Sequence, residues 1–194
     1  MQIFDTKKLF AELKQINASC LQFVEEKVAV LSNAQLQWKP NPKSWSILEV
    51  FAHLNSHAHY YQNIIHKKIL ENQDTEPTNT FVSSPLGRAT WRLVKLGKMR
   101  NIKRQVKSAR VFNPEYFGLE MKLDEMTKFV DYLKEMTQIF DEAEQVNLRK
   151  IKLPMAVSKF VYLRLGDALM FHIYHNDRHM EQINTIMNHR KFPK

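Results

Sequence analysis

The chain has one cysteine among 194 residues, four glycines, and no apolar run as long as the ~18 residues a membrane span requires. Each scarcity excludes something. Cys20 has no partner for an intramolecular disulfide, so a disulfide-stapled scaffold is out and a reducing compartment is indicated. So few glycines, and so few short Val/Ile/Thr alternations between turn signals, leave an all-β or doubly wound fold without support. The opening MQIFDTKKLFAELKQ is charged and amphipathic and lacks an apolar h-region, so neither a leader nor a transmembrane segment is expected. A cytoplasmic location follows.

What is present is enough apolar material for one core. With 44% hydrophobic residues and three tryptophans, a single domain over 1–194 is expected. The net charge of +9 is local: between Leu86 and Asn113 lie nine cations, from Arg88 to Arg110, and no acid. Without these nine, the remaining 20 basic residues equal the 20 acidic ones.

Helical periodicity marks four long segments. Leu9, Leu13, Ile16, Cys20, Phe23 and Val24 define the first, over about 5–31. The prolines of Lys39-Pro40-Asn41-Pro42-Lys43 break the chain. Ser46-Ile47-Leu48-Glu49 then forms a capping box that opens the second, running to about Leu70. The stretch NQDTEPTNTFVSSP reads as a loop. The basic segment 86–113 is helical in part, with Trp91, Val94, Ile102 and Val106 on one face and Gly97 interrupting it. A stripe from Leu123 to Phe140 marks the third core helix, over about 120–146, with an acidic outer face. A short connector around Pro154 leads to the last helix, from about 163–167 to His189. The expected class is all-α, an up-down four-helix bundle with a basic helical insertion at about 86–113 between the second and third core helices.

Histidine carries the chemistry. His53, His57, His59 and His66 fall on the second helix, and His172, His175, His179 and His189 on the fourth. His175 and His179 are four apart, so a helix aims both imidazoles at one point, and His53, between Phe51 and Leu54, is a natural third ligand. Three neutral imidazoles hold Zn²⁺, Ni²⁺ or Fe²⁺ with coordination positions left open. Spacing alone leaves two alternatives: His172 pairing with His175, and His57 as a fourth ligand or outer donor. His59, His66 and His189 are assigned no role. Glu49, Asp177, Glu181 and Gln182 are read chiefly as structural, with an imidazole-orienting role as the alternative for Glu181 and Gln182. Trp45 and Trp38 are read as packing residues near the helix start, with a place at the site mouth as the alternative, and Cys20 as an inert core thiol.

The segment Trp45-Ser46-Ile47-Leu48-Glu49-Val50-Phe51-Ala52-His53-Leu54 resembles the "W-S-x-x-E-V-x-x-H-L" opening of the second helix in DinB/YfiT-like proteins. Leu165-Gly166-Asp167-Ala168-Leu169, followed by His175-Asn176-Asp177-Arg178-His179-Met180-Glu181-Gln182-Ile183, is similar to that family's last-helix "H-x-x-x-H-x-x-Q-I" signature. The resemblance implies a divalent metal, zinc or nickel first and iron or manganese next, held by His53, His175 and His179. It also implies a homodimer and, from some relatives, thiol-dependent transferase chemistry with a small-molecule thiol and an electrophilic substrate. The basic segment departs from the compact family pattern.

The leading expectation is therefore a metal-dependent thiol transferase, with hydrolysis at the same site as its alternative. A different class, a binding module using 86–113 on an anionic partner, is the second expectation. Pairing of that segment with the acids of the third helix, or a dimer contact, is favoured over nucleic acid, which is not expected as a partner.

Overall fold

The computed structural model describes residues 2–102, 107–116, 124–156 and 158–194. Its long elements are helical, as the periodicity requires. Helix α1 (Thr6–Phe23) starts where the Asp5 side chain accepts from the Lys8 backbone N–H, and it ends in a π-turn over Val24–Val28. A short helix α2 (Asn33–Gln37) follows. Helix α3 (Ile47–Leu70) opens on the expected capping box, with Glu49 accepting from Ser46 N at 2.7 Å and Ser46 Oγ accepting from Glu49 N at 3.2 Å. Helix α4 (Pro85–Val94) has Ser84 as its N-cap and Pro85 in its first turn. Helix α5 (Glu125–Ala143) and helix α6 (Leu165–Met187) complete the set. Residues 120–123, where the third core helix was expected to begin, lie outside the described residues.

Four of these helices, α1, α3, α5 and α6, bury their apolar stripes against one another, with α3 and α1 each touching both α5 and α6. The buried side chains form two apolar clusters. One gathers Leu13, Tyr61, Ile65, Phe140 and Ile173, and the other gathers Val24, Phe51, Phe129 and Ile183. His57 on α3 and His175 and His179 on α6 fall between the stretches that feed the two clusters, and His53 lies one residue before Leu54 at the edge of the second. The site is thus a polar layer at a seam in the core.

The expectation of an all-helical chain is corrected by two small antiparallel sheets. Strand β1 (Gln2–Asp5) pairs with β2 (Thr80–Ser83), which lies in the stretch read as a loop, placing Phe4 opposite Phe81. The connector around Pro154 is a hairpin of β3 (Lys152–Met155) and β4 (Ser158–Arg164), with Leu153 opposite Leu163 and both buried. Three of the four strands have only four residues, and Pro154 stands within β3, so the alternation that marks a half-buried strand is short or interrupted there.

The basic segment is also corrected. Its helix ends at Val94, burying Trp91 and Val94, and gives way to a turn in which Arg100 takes a φ of 55°. Val106 lies outside the described residues. The acids of α5 are not its counter-charges among the described residues. Lys95 pairs with Glu12 of α1 at 2.7 Å, and Arg100 pairs with Asp177 of α6 at 2.7 Å. The α5 acids are met by Lys14, His66 and Lys128 instead. Lys95 and Arg100 thus tie the first half of the segment to α1 and α6.

Asp167, fully buried in the first turn of α6, ties the sheet side to the bundle. Its Oδ1 accepts from Ser83 Oγ, and its Oδ2 accepts from Ser84 N at 3.0 Å and Ser84 Oγ at 2.9 Å. Gly87 sits so close that a Cβ there would fall 2.0 Å from the Asp167 Cγ. Only glycine permits that approach of α4 to α6.

Candidate metal centre

His53 comes from α3, and His175 and His179 come from successive turns of α6. All three are buried. His175 Nε2 lies 3.2 Å from His53 Nε2 and 3.1 Å from His179 Nε2, and the three ligand atoms fall within 4.8 Å of one another. Two imidazole nitrogens in a tetrahedral shell about Zn²⁺ are roughly 3.3 Å apart, given Zn–N bonds of about 2.0–2.1 Å. Two of the three separations match that spacing and the third lies within 4.8 Å, so the trio can hold a divalent ion.

Outer hydrogen bonds fix two of the three rings. His53 Nδ1–H donates to the Phe112 carbonyl oxygen at 2.7 Å, and His179 Nδ1–H donates to Gln182 Oε1 at 2.8 Å. With the proton on Nδ1, each ring presents its Nε2 lone pair to the shared point, the tautomer a metal ligand needs. His175 Nδ1 is buried and has no hydrogen-bond partner among the described residues.

Burial holds all three rings neutral. It pushes His53 down to about 4, with the Phe112 carbonyl acting weakly in the opposite direction. His175 and His179 lie well below the ordinary imidazole value, first through burial and then through the neighbouring histidines. Neutral imidazole is the metal-binding form.

His57 joins the layer without joining the trio. Its ring is 4.3 Å from that of His175 and 4.7 Å from that of His53, and it stacks on Phe112 at 3.8 Å. His172 is not grouped with the trio; its Nε2 accepts from Gln62 Nε2–H at 3.1 Å inside the core. Of the three histidines assigned no role, His59 is exposed, while His66 and His189 are half-buried, beside Glu142 and Trp38 respectively.

Of the two residues that could orient an imidazole, Gln182 does so, accepting from His179; its place three residues on, on the same helical face, is the available signal. Glu181 faces Arg100 and Asn184 instead. Trp45 lies beside the centre, its ring 4.9 Å from His53 and 6.5 Å from His179, whereas Trp38 packs on His189 and Phe192. Glu49 is held by the cap and by Lys39, and Asp177 by Arg100. Cys20 is buried and its thiol is pushed far up by burial, which keeps it inert as expected. The carbonyl of Phe112 and the nearby Ser108 Oγ, 3.4 Å from His53 Nδ1, had no sequence signal, because a backbone acceptor leaves none.

No helix among the described residues is long and apolar enough to cross a membrane. Comparison with curated proteins and with solved structures found no match. The family model of the DinB superfamily matches residues 21–183, a span that includes the capping box, all three trio histidines and Gln182. The chain belongs to the DinB superfamily.

Proposed function

We propose that this protein is a metal-dependent enzyme whose divalent ion, zinc or nickel, is held by His53, His175 and His179, and that it carries out thiol-dependent group transfer. The observation that carries the reading is the convergence of three neutral Nε2 atoms, two of them with their tautomer set by Phe112 and Gln182. Such an ion supplies Lewis acidity, lowering the pKa of a thiol bound at an open position.

The chain's own residues favour thiol transfer over hydrolysis. Among the described residues no carboxylate bonds to the trio, and the nearest acids in sequence are occupied: Glu49 by Ser46 and Lys39, Asp177 by Arg100. A thiol ionises readily at neutral pH and needs no general base, whereas hydrolysis gains most from one. Trp45 beside His53 and His179 gives an apolar wall for a substrate.

The reading extends to architecture: one domain over 1–194, in which α1, α3, α5 and α6 form an up-down bundle and 86–113 is an insertion between the second and third core helices, assembled as a homodimer. Cobalt substitution tests the function. Co²⁺-loaded protein should gain visible absorption that shifts on adding a low-molecular-weight thiol, with a thiolate charge-transfer band. A spectrum indifferent to thiols but altered by hydrolysable esters would favour the hydrolase.

A further inference from the structure

A second site lies well away from the histidines. Between β2, the β3–β4 hairpin and the turn after α5 there is a groove of about 570 Å³, within the range of about 300–1,000 Å³ typical of small-ligand sites. Arg149, Lys150, Lys152 and Arg164 line it, and no acidic side chain does. Arg164 precedes α6 by one residue, so at 1.5 Å per residue the groove is roughly 16–22 Å along the helix from His175 and His179.

The groove is built, not merely crowded. Arg164 Nη1–H donates to the Val82 carbonyl oxygen, which fixes the guanidinium and leaves its other donors free to face the groove. The buried Asn147 accepts at Oδ1 from the backbone N–H of Arg149 at 3.1 Å and of Lys150 at 3.0 Å, which holds the turn that carries both cations. Lys152 and Arg164 are directly cross-strand. Among the described residues none of the four makes an ion pair, in contrast to Lys95 and Arg100. Four like charges around one concavity repel one another, a cost removed when an anion sits among them.

We propose that this groove is a binding site for a phosphate chain of several negative charges, the chemistry shared by inorganic polyphosphate and a nucleoside triphosphate tail. Guanidinium recognises phosphate oxygens in a fork, and the lysines act as point charges along the chain. This inference does not depend on the metal reading.

Isothermal titration of the full chain with inorganic tripolyphosphate, at physiological ionic strength, is the test. Saturable one-site binding is expected, weakened at least tenfold in Lys150→Glu/Lys152→Glu. The double variant Lys98→Glu/Lys107→Glu carries the same charge change in the basic segment and should bind within twofold of the native chain. The milder pair Lys150→Gln/Lys152→Gln, expected to lose several-fold, keeps the test readable if charge reversal disturbs folding. A parallel titration with ATP separates the sources: tighter binding assigns the groove to a nucleotide tail, equal binding to the phosphate chain alone. Absence of saturable binding, equal losses in both Glu double variants, or binding of a single-stranded oligonucleotide but not of tripolyphosphate would overturn the proposal.

Discussion

His53 Nδ1 donates to the carbonyl oxygen of Phe112, 59 positions later in the chain, and the Phe112 ring stacks on His57, one helical turn beyond His53. The end of the basic segment is therefore held against the histidine group by both its backbone and its side chain. Phe112→Ala should remove the stack and loosen the carbonyl, lowering metal affinity by about tenfold or more, in the range seen when outer partners of metal ligands are lost. Chelator competition measures this. Unchanged affinity would mean that the turn does not position His53.

Gln182 makes the corresponding contact for His179. Gln182→Ala should weaken metal binding by about 10–100-fold. Glu181→Ala, one residue away but facing Arg100, should leave affinity within about twofold, because Glu181 touches none of the three histidines among the described residues. The contrast separates an orienting role from a general loss of helix stability, and both variants can be compared by thermal unfolding without metal.

The metal-stripped protein should lose stability as pH falls from about 6.5 towards 4. Burial depresses His53 and His172 to about 4, below the value near 6.5 of an unfolded chain. The unfolded state therefore takes up protons first. Stability is full above about pH 6.5 and declines as pH drops, by up to roughly 3 kcal/mol for each such histidine once both states are protonated. Urea unfolding at pH 7.5 and pH 5 checks the sign. Equal midpoints would contradict neutral burial of these rings.

Gly87→Ala should destabilise the fold by about 3 kcal/mol, since its Cβ would meet the Asp167 carboxylate that Ser83 and Ser84 hold in place. The candidate metal ligands His175 and His179 lie farther along α6, so metal stoichiometry of the folded fraction should not change. Calorimetry gives the first quantity and metal analysis the second.

The parts legible in the sequence are those whose signals are periodic or local. The apolar stripes of α1, α3, α5 and α6, the Ser46–Glu49 box and the four-residue spacing of His175 and His179 each follow from helix geometry alone. Choosing His53 over His57, and His179 over His172, took the resemblance. In the structure the His57 ring lies against Phe112, and His172 Nε2 accepts from Gln62. What stayed hidden depends on contacts distant in sequence. Strands β1 and β2 are brought together from opposite ends of an 80-residue stretch. Asp177 and Glu12 draw in Arg100 and Lys95 from a segment whose charge pattern pointed to the acids of α5.

Metal content by mass spectrometry on untagged protein, for the native chain and for His53→Ala, His175→Ala and His179→Ala, addresses the central claim. One divalent ion per chain, lost in all three variants while their folds persist by circular dichroism, is the predicted result. Metal-free native protein after supplementation with zinc and nickel, or metal retained in any of the three variants, would contradict it.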